Sequence, residues 1–319
     1  MLKTDAPSRP ASVDELLDPR LVARLHRVDL ASKKVFAGKM KGERRSKRRG
    51  ESVEFADHRP YAVGDDLRFI DWNIYGRLDR LFMKLFLEEE DLSLHLVLDC
   101  SASMNCGDPE KFAWARRAAA ALGYVGLFNM NRVAVSRLGG RNAGDPDNTD
   151  ADARPADAAT LRDLRGRRRV HDLGRFLCST EPGGDDAFAQ NARRIALARR
   201  GKGVMVVLSD FLFKDGYERG LRYLLGRGYD LVLIQVLSPD ELNPPLGGDL
   251  RLRDLEDGER VEITVSAPLL KRYRERLAAF TGGLRDFCAR REITLLTLSS
   301  DTPIDDLLLG YLRERGVLR

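Results

Sequence analysis

From residue 92 onward the chain alternates short apolar runs with helical spacing, and this alternation constrains its fold more than any other feature. Strand-like runs stand at 92–98, 132–138, 204–208, 231–237 and 293–298. Helix signals fill the intervals at about 109–130, 170–179, 187–200, 216–226 and 268–290. Strands separated in this way predict a mostly parallel sheet covered on both faces, a doubly wound α/β fold. Residues 160–164 read as a short edge strand. A hairpin is expected around Asp257-Gly258, and a last helix at 305–315. The Asp108-Pro109 pair predicts the start of the first large helix, with Asp as cap and Pro in the first turn. In sheets of this kind ligands bind beyond the carboxyl ends of the strands, where the strand order reverses.

The residues before 92 read differently. Segment 13–31 has helical spacing, with Leu16, Leu17, Leu21, Leu25 and Val28 suited to one face and Ser12 or Asp14 as cap. Segment 33–49 then carries nine Lys/Arg against one Glu. With a net charge of +5 for the whole chain, the remainder stands at 5 − 8 = −3. The basic character is therefore local: an arm for phosphates, a docking surface for an acidic partner, or a solvated loop. It lacks the interleaved aromatics of stacking modules, so a nucleic-acid partner is disfavoured. Residues 52–86 alternate apolar pieces with turn signals at Arg59-Pro60 and Gly64-Asp65-Asp66, and contain no phosphate loop. Asp65, Asp66, Arg68 and Asp71 predict an ion-pair network around Trp72, read as a structural latch. The expected division is an N-terminal helix and basic arm (1–50), a signature region packing on the core domain (51–91), and the main domain with a small β-rich elaboration (92–319).

Composition narrows the class. Apolar content of 43% and charged content of 32% suit a globular chain. No apolar run reaches the roughly 20 residues of a membrane-spanning helix, and the first twenty residues lack a secretory core. Cys100, Cys106, Cys178 and Cys288 show no C-x-x-C spacing. A reduced, cytoplasmic chain without a membrane span is the expectation.

The functional clue lies at two strand ends. "LVLDCSASM" at 96–104 runs from apolar strand into Asp99, Ser101 and Ser103, and "VMVVLSD" at 204–210 ends in Asp210. A carboxylate beside the core needs compensation. Asp99, Ser101, Ser103 and Asp210 are hard oxygen donors, joined by Asp185 and Asp186 of a third loop. Such a set suits Mg²⁺ or Mn²⁺ better than a soft-ligand metal. In the alternative, Ser101 and Ser103 cap turns and the following helix while Asp99 accepts their hydroxyls and backbone N–H groups.

"DCSASM" resembles the metal-ion-dependent adhesion motif (MIDAS), D-x-S-x-S, of von Willebrand factor A domains. The upstream stretch resembles the signature of the domain-of-unknown-function family numbered 58, a von Willebrand factor A-like group. Tyr61, Gly64, Asp65, Asp66, Arg68, Ile70, Asp71, Trp72, Arg77, Lys84, Phe86 and Glu88 carry that signature, followed by 99–104. The resemblance implies a doubly wound sheet with a divalent ion at its top, held by Asp99, Ser101, Ser103 and Asp210, and by Asp185. The ion's open position would accept an acidic group of a protein partner. It also implies association with a MoxR-type AAA+ ATPase in protein maturation or remodelling. One position departs from the pattern: Asp185 stands where the group carries Thr. A third carboxylate tightens cation binding but weakens the ion's pull on a partner's acid, so a closed structural site is also open.

The rival chemistries fit less well. An aspartyl phosphatase wants a second acid two positions after its nucleophile, and Ser101 stands there. Cys100 or Cys106 as nucleophile needs a base, and none of His26, His58, His95 and His171 has an interpretable spacing to them. His95 falls on the non-leucine face of its strand and is expected to be packed. The expected function is a non-enzymatic protein-interaction module.

Overall fold

The computed structural model describes residues 10, 12–31, 54–87, 92–139, 141–142, 160–183, 187–198, 202–225, 229–245, 248–253 and 260–319. The basic segment 33–49, the acidic run 88–91, Asp185, Asp186, the Asp257-Gly258 turn and most of 139–155 lie outside the described residues. The chain forms two units, one made of Met1–Ala37 and Leu92–Arg319, the other of Gly38–Asp91.

Twelve strands are described. In chain order they are β1 (Glu54–Pro60), β2 (Phe82–Leu87), β3 (Ser93–Asp99), β4 (Arg132–Leu138), β5 (Arg141–Asn142) and β6 (Thr160–Leu164), then β7 (Thr180–Glu181), β8 (Gly203–Ser209), β9 (Tyr229–Leu237), β10 (Gly248–Arg253), β11 (Arg260–Val265) and β12 (Thr294–Ser299). The larger unit is built on a six-stranded sheet of order β12-β9-β8-β3-β4-β6. All pairs are parallel except β6, which lies antiparallel on the β4 edge. Numbered by appearance in the chain, the strands run 3-2-1-4-5-6, so the order reverses between β3 and β8. This doubly wound, mostly parallel sheet is the architecture the alternation predicts, and in sheets of this kind ligands bind at such a reversal.

Both faces are covered, as a parallel sheet requires. Leu94, Leu96 and Leu98 of β3 face one core, with Val204, Val206 and Leu208 of β8 and the helix Lys111–Phe128. Val97, Met205 and Val207 face the other, beneath the helices Phe188–Ala198 and Glu218–Leu225. His95 is buried and hydrogen-bonded to Ser136 at 2.7 Å, a packed histidine as expected. The predicted hairpin is present as β10 and β11, paired antiparallel. No helix of the described residues is long and apolar enough to cross a membrane. All four cysteines are free thiols.

Three local expectations are corrected. The single N-terminal helix is two, Val13–Leu16 and Pro19–Leu25, because Asp18 caps a new start and Pro19 cannot continue an old one. Their leucines join the first core. The first large helix starts at Lys111 with Glu110 before it, and the Asp108-Pro109 pair forms the preceding turn. The C-terminal helix is present over 304–314, but it is wound as a wider π-helix at Asp306–Tyr311 before the α-helical Leu312–Glu314.

The helix Lys111–Phe128 meets the sheet backbone-first at Gly126, where there is no room for a side chain. A Cβ on Gly126 would stand 2.7 Å from Val133 Cγ2 and 3.1 Å from Leu94 Cδ2.

Among its described residues the smaller unit shows little apolar interior. Ile70 and Met83 are its only buried hydrophobic residues among those described, while Trp72 is 62% exposed. Charge pairs hold it. Arg59 grips Asp65 with two bonds of 2.7 Å, and Arg68 pairs with Asp66. Asp71 caps the helix Trp72–Leu78 and meets His58 at 3.0 Å and Lys84 at 3.4 Å. The predicted latch therefore exists as separate pairs and does not surround Trp72. Its partners Arg59, His58 and Lys84 come from the strands β1 and β2.

Two outcomes follow. In Gly126→Ala the gain in helix propensity, about 1 kcal/mol, is outweighed by overpacking of about 1–3 kcal/mol. Urea unfolding should show net destabilisation. The hydrogen bond from His58, above all, holds the Asp71 carboxyl at about 2, below its ordinary 3.8. The folded acid stays ionised where the unfolded one takes a proton, so its contribution is full above pH ~4 and is lost as pH falls toward 2. A carboxyl NMR titration should place Asp71 near 2 and nearer its ordinary value in His58→Ala.

Candidate functional site

Asp99 ends β3 and Asp210 follows β8, so the two carboxylates flank the point where the strand order reverses. Both are buried, Asp99 at 1% exposure and Asp210 at 0%. Their surroundings differ in one decisive respect.

Asp99 is met by neutral donors. Ser209 donates its hydroxyl to Oδ2 at 2.5 Å, and the Ser101 backbone N–H donates to Oδ1 at 2.9 Å. Burial, and after it the neighbouring Asp210 charge, push the Asp99 carboxyl well above the usual carboxylate range; the hydrogen bonds offset this only in part. The hydroxyls of Ser101 and Ser103 lie 2.9 Å apart, both on the turn that follows Asp99.

Asp210 is met by a cation. Lys111 Nζ stands 2.7 Å from its Oδ2, and the Leu212 backbone N–H donates to Oδ1 at 3.0 Å. The same ammonium reaches Glu241 Oε1 at 2.5 Å. Glu241 belongs to the turn after β9, where it and Ser238 form a reciprocal cap. Lys111 has no exposed side-chain surface. Burial alone would lower its basicity, but Asp210 and Glu241 together outweigh it and hold the amine above its ordinary value.

Lys111 and Glu241 are the site residues that sequence reasoning misses. They lie 99 and 31 positions from Asp210, and neither belongs to a motif. One signal existed. A lysine opening a helix whose next residues are almost all apolar must go inside with it, and 14 of that helix's 18 residues are buried.

The remaining predicted ligand, Asp185, lies outside the described residues. The chain leading to it is fixed on the site, because the Gly183 N–H donates to the Cys100 carbonyl at 2.7 Å. Among the described residues no three His, Cys, Asp or Glu side chains converge on a single metal position. A cation here would draw on the Asp99 and Asp210 carboxylates and two hydroxyls. That donor set fits a hard divalent ion that keeps several waters. The charge count agrees, since Asp210 and Glu241 against Lys111 leave one negative charge, and Asp99, held toward its protonated form by burial, adds a second when a cation takes the place of its proton.

Removing one partner of a buried ion pair leaves the other uncompensated, at a cost of about 3–5 kcal/mol. Lys111→Met should lose stability on that scale in urea unfolding with chelator present. Adding Asp210→Asn should restore part of it.

Comparison with known proteins places the chain. The family described as "Protein of unknown function DUF58" matches residues 57–281. The "Uncharacterized protein Rv1480" of Mycobacterium tuberculosis (strain H37Rv) is 29% identical over 310 residues, covering 94% of this chain and 92% of that one. The "Uncharacterized protein Mb1516" of Mycobacterium bovis matches to the same extent. Among solved structures, a "conserved hypothetical protein BatB from Bacteroides thetaiotaomicron" aligns with 70% of this chain and 98% of its own, at 11% identity and a TM-score of 0.42. With its family model matched over most of its length, the chain belongs to the DUF58 family.

Proposed function

We propose that the chain is a non-enzymatic protein-interaction module of von Willebrand factor A type, with one divalent cation, Mg²⁺ or Mn²⁺, at the β3–β8 end. Asp99, Ser101, Ser103 and Asp210 hold the ion, and Asp185 adds a carboxylate from the third loop. The observation that carries this reading is the Asp99 carboxyl. It is buried at a strand-order reversal, with neutral donors only among the described residues, beside two adjacent hydroxyls. A cation there relieves a buried charge that the protein's own groups leave uncompensated. The resemblance of "DCSASM" to the adhesion motif supports the same assignment, and the family signature supports a MoxR-type AAA+ ATPase as partner.

Hydrolytic chemistry finds less support. A carboxyl raised by burial is a poor nucleophile, Ser101 stands where a phosphatase would carry its acid, and burial pushes the Cys106 thiol up to about 11 and Cys100 higher.

The test is calorimetric titration of the chelator-stripped chain with Mg²⁺ and with Mn²⁺, alongside Asp99→Ala. Saturable one-to-one binding in the wild type, lost in the variant, is the expected outcome. A wild type that binds neither ion would mean that Ser209 and the Ser101 N–H are all the compensation Asp99 has, and the metal assignment would fall. Metal-dependent retention of a purified MoxR-type ATPase tests the partner.

A further inference from the structure

Lys111 is the one fully buried ammonium among the described residues, and it lies in the same cluster as the candidate ion. We infer that Lys111 acts as a tethered competitor cation, one that sets how tightly the β3–β8 end binds a divalent ion and links that binding to the Ser238–Glu241 turn. The inference rests on the metal assignment above and deepens it.

The geometry carries it. Lys111 Nζ is shared between two carboxylates on different strand ends, 2.7 Å from Asp210 Oδ2 and 2.5 Å from Glu241 Oε1. An ammonium and a divalent ion cannot both draw fully on Asp210, because like charges repel strongly where water is excluded. Entry of the ion therefore favours a Lys111 displaced toward Glu241, and loss of the ion favours one returned to Asp210. Glu241 is able to receive it. Its other oxygen is anchored by the Ser238 N–H at 2.8 Å, and its backbone carbonyl by the Tyr273 hydroxyl at 2.9 Å. The ammonium has only a short way to move, between two acceptors it already touches.

The opposite signs expected at Lys111 and Glu241 separate this role from a structural one. In Lys111→Met the competitor is gone and the cluster gains a negative charge, so Mn²⁺ should bind at least tenfold more tightly than in the wild type. In Glu241→Gln the ammonium has Asp210 alone and the cluster loses a negative charge, so Mn²⁺ should bind at least several-fold more weakly. Residues that only hold the fold would weaken binding in both variants.

The measurement is Mn²⁺ titration of the full chain, followed by electron paramagnetic resonance of the free ion, for wild type, Lys111→Met, Glu241→Gln and Asp99→Ala. Circular dichroism reports folding in each sample. Tightening in Lys111→Met with weakening in Glu241→Gln is the expected result. Binding in Lys111→Met where the wild type shows none also establishes the competition. If Lys111→Met fails to fold, Glu241→Gln decides, and unchanged or tighter binding there overturns the inference. Wild-type binding that is lost in Asp99→Ala but unchanged in a folded Lys111→Met leaves the metal site standing and removes Lys111 as its competitor. Absence of binding in both wild type and a folded Lys111→Met overturns the metal assignment itself, and with it this inference.

Discussion

A strand buried on both faces that ends in an acid sets the terms for this end of the molecule. β3 is inside from Leu94 to Asp99 and is paired along both edges, with β4 and with β8. Its last side chain cannot turn to water, and a bare carboxylate in that position is costly. Whatever stands around Asp99 is there because the charge must be met. The turn after it brings the Ser101 N–H back to the carboxylate, and β8, in register alongside, ends in the Ser209 hydroxyl. Asp210 follows Ser209 directly, so the strand that supplies a donor also brings a second charge to the same place. The parallel register thus creates a buried acidic pair and only half resolves it.

The other half comes from the helix that covers β3. Gly126 lets it lie close on the sheet, against Val133 and Leu94, while Gly123 makes room for Leu173 of the helix Val170–Ser179. The fifteen residue steps from Gly126 back to Lys111 span roughly 22 Å of helix, while Leu94 to Asp99 covers roughly 17 Å of strand. A helix seated low on β3 therefore carries its first residue just past the strand's end, where Lys111 meets Asp210. Close packing at one end and charge delivery at the other are one structural fact. The ammonium settles Asp210 and leaves Asp99 with neutral donors, and this asymmetry makes the two aspartates chemically different despite their matching positions.

Much of the frame was legible in the sequence. Five apolar runs separated by helix signals, with a short edge strand at 160–164, predicted the sheet and its covering, and two of the runs leading into Asp pointed to the crevice. The legible features are periodic or adjacent in sequence. The features that were not legible are long-range or depend on which of two local signals prevails. Asp18 and Pro19 divide a helix whose leucine spacing runs through them without interruption. Asp108-Pro109 carries a strong start signal, but the turn there is held by a Ser300 hydroxyl on the Pro109 carbonyl, and the helix waits until Lys111. In the smaller unit the acids were identified from a compact run, while their partners Arg59, His58 and Lys84 lie on strands that only the fold brings near. Lys111 was hidden for the same reason. Its meaning lies in Asp210 and Glu241, and no spacing connects the three.

The cluster also joins strand ends that would otherwise be independent. Lys111 ties the end of β8 to the turn after β9. The Gln235 amide donates to the Asp210 carbonyl at 3.2 Å and accepts from Thr297 of β12 at 3.1 Å. The ends of β8 and β9 are thus connected through buried polar groups, with Asp99 at the boundary of the series, and the exposed Thr297 hydroxyl adds β12 to them. In a low-dielectric network of this kind each bond polarises the next, and a change of charge at one member is felt by the others. A neutral ligand beside Asp99 would leave that balance as it is. A cation would alter it, and the first group able to respond is the ammonium shared between Asp210 and Glu241. The Ser238–Glu241 turn, held by its own reciprocal cap yet bonded to that ammonium, is where such a change would first reach the surface of the fold.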